Sequence, residues 1–87
     1  MNQDQKEALR LISKFARCNI WWMSGNANKD IRQLIYSKLV GRKVSKVESG
    51  VTNIRMAIIN LLNIDTNQCD AMIDRSIEES IMKVVSE

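Results

Sequence analysis

The sequence predicts a single all-α domain, a small bundle of four helices, from three observations. Proline is absent and glycine occurs only three times in 87 residues, whereas small β-rich domains need many turn residues. Residues that favour helices, such as Leu, Met, Lys, Arg and Gln, are abundant. Four stretches repeat apolar residues at spacings of three and four. The predicted helices cover about residues 3–23, 29–40, 52–63 and 66–85, within one domain of residues 1–87.

A glycine turn separates the first two predicted helices. Apolar residues recur every three or four positions from Ala8 to Ile20, and Gly25 follows as a candidate C-cap. The second helix begins after Asn28, a suitable N-cap, and ends at Gly41. Its predicted apolar stripe consists of Ile31, Leu34, Ile35 and Leu39.

The third and fourth predicted helices are the most apolar and the most clearly amphipathic. Before the third, Ser45 and Glu48 have the spacing of a capping box. The third helix is apolar on most sides, which is typical of a central core helix. Asp65 or Thr66 is the expected N-cap of the fourth, and Asp74 falls on its expected solvent-facing side. Its apolar face consists of Cys69, Ile73, Ile77, Ile81 and Val84.

Several classes of function lack their usual residues. The chain has no histidine, and its two cysteines, Cys18 and Cys69, lack the spacing of zinc ligands. No two glycines lie close enough to form a phosphate-binding loop. We therefore expect no enzyme activity, no metal, no cofactor and no small-molecule substrate. The polar N-terminus and the lack of ~18 consecutive apolar residues predict a cytoplasmic protein that does not enter membranes.

Charge is unevenly distributed along the chain. Residues 1–63 hold eleven Lys or Arg against four Asp or Glu, a balance of +7, whereas residues 64–87 hold two against six, a balance of −4. Together these give the net charge of +3. A basic body with an acidic last helix indicates two faces with different roles. Neutralisation of one half by the other, in a bundle or a dimer, is the alternative.

Basic residues near the middle of the chain are candidate nucleic-acid contacts. Arg42, Lys43 and Lys46 flank a predicted helix junction, where long cationic side chains can reach phosphates. A solvated surface is the alternative for such charges. The predicted nucleic-acid-binding residues are Arg42, Lys43, Ser45, Lys46 and Arg55.

A short segment resembles a known family. Val44-Ser45-Lys46-Val47-Glu48-Ser49-Gly50, followed by Thr52-Asn53, is similar to the end of the recognition helix in lambda-repressor-like helix-turn-helix regulators. The resemblance covers residues 44–53 only. It implies that Ser45 and Lys46 face DNA, that Arg42 and Lys43 lie near phosphates, and that Val44 and Val47 pack inward.

A second surface is predicted to bind protein. Trp21 and Trp22 are adjacent, so a single narrow helical stripe cannot bury both, and an exposed tryptophan is a good interface anchor. Both could instead cover the open end of a small core. We predict that the interface comprises this pair and Ile73, Ile77 and Ile81, which would also form a homodimer surface on the last helix.

These features predict a small non-enzymatic regulatory protein of phage, plasmid or bacterial type. It would act by binding DNA or a DNA-associated complex. The alternative function is a protein-binding inhibitor or adaptor that uses the Trp pair and the last helix. A homo-oligomer whose apolar residues meet only copies of themselves is a third possibility.

Overall fold

Four helices make up most of the chain that the structure, a computed structural model, describes. It describes residues 1–16 and 29–86, the side chains of Phe15 and Ala16 excepted. The helices are α1 (Gln3–Ala16), α2 (Lys29–Val40), α3 (Val51–Leu62) and α4 (Asp70–Val85). The predicted all-α fold with four helices is confirmed. The predicted continuation of the first helix to residue 23, the break at Gly25 and the cap at Asn28 lie outside the described residues.

Local hydrogen bonds explain where three of these helices begin or end. At the start of α1, the Asn2 backbone N–H donates to Gln5 Oε1 at 2.9 Å, and the Gln5 N–H donates to Asn2 Oδ1 at 2.8 Å. At the end of α2, Gly41 adopts a φ of 73° and its N–H donates to the Ser37 carbonyl at 2.9 Å. Asn63 ends α3 in the left-handed conformation, with a φ of 55°.

The start of α4 differs from the prediction. The helix begins at Asp70, after the N-cap Cys69, and not at residue 66. The reason is local, because Asp65 Oδ1 accepts the Asn67 N–H at 2.9 Å and so forms a tight turn in the connection. Asp65 therefore satisfies a loop amide instead of capping the helix.

One hydrophobic core joins the four helices. α1 packs against α2 and α4, while α3 packs against α2 and α4. The radius of gyration of 11.9 Å is that of a compact domain, for which this length predicts about 12 Å. Within the described residues, none of the helices has the length and hydropathy of a membrane-spanning segment. The fully buried apolar side chains of the core are Ala8, Leu9, Ile12, Ile35, Ile54, Ile58, Ile77 and Ile81.

The apolar face of α4 lies inside the chain's own core. Ile73, Ile77 and Ile81 are all buried in the same cluster as the core residues of α1 and α3. Neighbouring helices of the same chain already cover them, so burial does not favour their predicted role in a protein interface and homodimer surface, which stays a prediction. Cys69 precedes the helix and is exposed, and Leu34, predicted on the α2 stripe, is 47% exposed.

Candidate nucleic-acid interface

Four of the five predicted nucleic-acid contacts, Ser45 and three cations, lie in the connection between α2 and α3. Arg42, Lys43 and Lys46 are all exposed there, and we name residues 42–48 the basic turn. Residues 41–50 contain neither helix nor strand, and residues 46–49 form a turn. The recognition helix that the resemblance implies is therefore absent from this segment.

The predicted capping box is present and closes the basic turn. The Ser45 backbone N–H donates to Glu48 Oε1 at 3.0 Å, and the Glu48 N–H donates to Ser45 Oγ at 3.1 Å. The Ser49 hydroxyl, which is buried, donates to the Ser45 carbonyl at 2.7 Å. The box leads into a single turn and no helix, because Gly50 is extended, with φ −69° and ψ 158°, before α3 begins.

Side chains of α2 bond to two backbone carbonyls, one within the basic turn and one directly after it. Gln33 Nε2 donates to the Val44 carbonyl at 2.8 Å, and Arg32 Nε donates to the Ser49 carbonyl at 3.3 Å. The Val44 side chain is buried. A backbone fixed at Val44 and Ser49 presents Lys46, which lies between them, in a defined arrangement, and this lowers the entropy that binding must remove.

Two of the three cations are paired with carboxylates. Arg42 Nη2 lies 3.0 Å from Glu48 Oε2, and Lys46 Nζ lies 3.0 Å from Asp30 Oδ1. Lys43 makes no ion pair among the described residues. The Ser45 backbone N–H, followed by Arg42, lowers the pKa of Glu48 below its ordinary 4.5, because both stabilise the carboxylate.

Arg55 has a different environment from the basic turn. Its side chain is only 13% exposed, its Nε lies 2.9 Å from Asp74 Oδ1, and its Nη2 lies 3.7 Å from Asp70 Oδ1. Arg55 therefore joins α3 to α4 and is not exposed for a phosphate, contrary to the prediction. Asp74 is correspondingly 28% exposed, although its helical position predicted a solvent-facing side chain.

Val47 is the most exposed of the large apolar side chains in the described residues. It is 92% exposed, although the resemblance implied that it packs inward with Val44. On a helix, positions three apart lie on the same face. Since residues 46–49 form a turn, Val44 points into the core and Val47 points to solvent.

The remaining predicted site residues are outside the described residues. Trp21 and Trp22 lie in the segment that the structure does not describe. In residues 1–16 and 29–86, no group of three or more His, Cys, Asp or Glu side chains could hold a metal ion.

Comparisons with known proteins do not extend the resemblance. No protein-family model, curated protein or solved structure matches the chain. The likeness of residues 44–53 to helix-turn-helix regulators thus has no support outside those residues.

Proposed function

We propose that this chain is a small non-enzymatic regulatory protein of phage or bacterial type that binds DNA, or a complex on DNA, through the basic turn. One observation supports the proposal. Arg42, Lys43 and Lys46 are exposed within five positions on a backbone that α2 and the capping box hold. Lys and Arg at phosphates supply most of the affinity of non-specific DNA binding. The proposal places the protein in the cytoplasm.

The number of cations sets the expected salt dependence. Three phosphate contacts predict a slope of about −2.7 for the logarithm of the association constant against the logarithm of salt concentration. Raising monovalent salt from about 50 to about 200 mM should then weaken binding roughly 40-fold. Binding through so few contacts is expected to be weak and best measured at low ionic strength.

Charge reversal in the basic turn tests the proposal. Fluorescence anisotropy with a labelled duplex at low salt should show binding by the parent chain and none by Lys43→Glu with Lys46→Glu. Both side chains are exposed, so thermal stability should change little.

A matched control shows whether the loss of affinity comes from local contacts of the basic turn or from the change in net charge. Arg10→Glu with Arg75→Glu gives the same change in net charge at exposed positions on α1 and α4. This control should keep most of the affinity. An equal loss in both double variants, or no duplex binding by the parent at the lowest salt, would contradict the proposal.

Protein binding is the second candidate function. The observation that favours it is Val47, an apolar side chain 92% exposed beside cations. In this function, the chain is an inhibitor or adaptor whose partner covers Val47, with the Trp pair as a further contact. A partner captured in stoichiometric amounts by the parent should be lost with Val47→Ser and kept with Met72→Ser, a control at another exposed apolar residue.

Burial of the isoleucines of α4 favours a different surface for any homodimer. Sedimentation at micromolar concentration measures the oligomeric state directly. A monomer would leave DNA and other proteins as the partners to test.

A further inference from the structure

The basic turn carries acidic partners for two of its own cations. A Glu48 oxygen lies 3.0 Å from Arg42 Nη2, and an Asp30 oxygen lies 3.0 Å from Lys46 Nζ. A phosphate oxygen contacts Arg or Lys through the same kind of charge-assisted hydrogen bond and at a similar distance. In the free protein, two carboxylates thus stand where an anionic ligand would make its contacts.

We infer that Glu48 and Asp30 occupy the places of two DNA phosphates in the free protein, and that the basic turn binds the phosphate backbone without reading bases. This inference rests on the proposed function. Binding then exchanges each carboxylate for a phosphate, so both acids weaken the affinity of the parent chain.

The two exchanges differ in how firmly the acid is held. Asp30 is 85% exposed, and its ion pair is with Lys46 alone, so a phosphate can displace it easily. Glu48 also accepts the Ser45 backbone N–H at 3.0 Å. Its departure would free that N–H, a group that itself binds phosphate oxygens in DNA complexes. A phosphate should therefore displace the Asp30 carboxylate more readily than that of Glu48.

The basic turn lacks an element that could carry its side chains into the major groove. Base recognition in the major groove uses a helix or a two-stranded ribbon that enters the groove, and residues 41–50 form neither. Ser45 donates its backbone N–H to Glu48 and accepts the Glu48 N–H through its hydroxyl oxygen in the capping box. Val47, which is 92% exposed, has no hydrogen-bonding group in its side chain. Contacts of this kind position a protein on DNA but carry no sequence information.

Neutralising the two acids tests the exchange. Glu48→Gln keeps an oxygen that can accept the Ser45 N–H, since a capping box also accommodates glutamine, and Asp30→Asn changes an exposed side chain. Each substitution should raise affinity for a labelled duplex about three- to fivefold at low salt, because it removes an exposed ion pair that a phosphate must otherwise displace. Thermal melts of each variant establish that it remains folded.

The matched control is Glu79→Gln, which raises the net charge by the same amount. Glu79 is an exposed side chain on α4, and its ion pair, with Arg75, lies within that helix. Its affinity should stay within about twofold of the parent, since the ion pair of Glu79 lies within α4 and involves no cation of the basic turn. Two duplexes of unrelated sequence and equal composition should bind every variant equally.

The outcomes separate the inference from the proposed function. If the parent binds duplex but Glu48→Gln and Asp30→Asn behave like Glu79→Gln, the inference fails and the proposed function stands. If the parent does not bind at the lowest salt, the proposed function fails, and the inference that rests on it fails as well. A difference of more than about tenfold between the two duplexes overturns the backbone-only contact.

Discussion

Replacing Arg55 with methionine tests whether this arginine braces the fold or contacts DNA. Methionine keeps most of the aliphatic stem that packs between α3 and α4 but removes the ion pairs with Asp74 and Asp70. Fully exposed ion pairs contribute about 0–1 kcal/mol, and breaking a buried one costs about 3–5 kcal/mol. Arg55 is 13% and Asp74 28% exposed, which places this pair between those limits. We expect Arg55→Met to lower the free energy of unfolding by about 1–3 kcal/mol.

Urea unfolding in a double-mutant cycle isolates the ion pair. The cycle of Arg55→Met with Asp74→Asn should give a coupling energy of about 1–2 kcal/mol. A second cycle with Asp70→Asn is the matched control on the same helix. Asp70 is 91% exposed and lies 3.7 Å from the guanidinium, so its coupling should be within a few tenths of a kcal/mol of zero.

DNA affinity supplies the decisive comparison. Arg55→Met should leave duplex binding within about twofold of the parent at low salt, since the Arg55 guanidinium is already paired with Asp74 on α4. Unchanged stability combined with a large loss of DNA affinity would refute the assignment of Arg55 to the α3–α4 contact.

Three further predictions follow from burial, backbone conformation and titration. Ile58→Ala, at a fully buried side chain, should lower the free energy of unfolding by about 2–5 kcal/mol in urea. Leu34→Ala, at a half-exposed side chain, should lower it by under about 1 kcal/mol. Equal losses would contradict the assignment of Ile58 to the core. Gly41→Ala should destabilise by about 1 kcal/mol because of its φ of 73°, whereas Gly50→Ala, at φ −69° with open space around it, should cost nothing in the same melts. The pKa of Glu48 is lowered, so the hydrogen bond from the Ser45 N–H to the Glu48 carboxylate should be fully formed above pH 4.5. It should be lost as the pH falls through the lowered pKa. A carboxyl NMR titration with a midpoint above 4.5 would contradict this.

Local sequence was sufficient for most of the fold. The spacing of apolar residues placed α2 and α3 to within one residue, because each helix ends where a glycine or asparagine adopts positive φ. The start of α4 was predicted four residues early. Asp65 suits both a helix cap and a tight turn, and the side chain satisfies a backbone N–H in either case. Local chemistry therefore could not choose between the two.

In the candidate site, too, local contacts could be predicted from the sequence and contacts between helices could not. The capping box of the basic turn was predictable, because its two residues are three positions apart and each side chain accepts the other residue's backbone N–H. The role of Arg55 was not, since its partner Asp74 is nineteen residues away on another helix. Similarly, the apolar stripe of α4 was visible in the sequence, but whether it covers its own core or a second copy depends on how the helices pack.

In the folded protein, acidic side chains neutralise part of the excess basic charge of residues 1–63. Its acidic last helix neutralises part of its basic body directly, through Asp74 and Arg55. In the basic turn, Arg42 and Lys46 are each paired with a carboxylate of their own chain. Any anionic partner must compete with those acids, and the exposed pairs are weak enough for it to do so. Lys43, which makes no ion pair among the described residues, can contact a phosphate without displacing any carboxylate. In the proposed complex with DNA, Lys43 would therefore make its phosphate contact at a lower cost than Arg42 or Lys46.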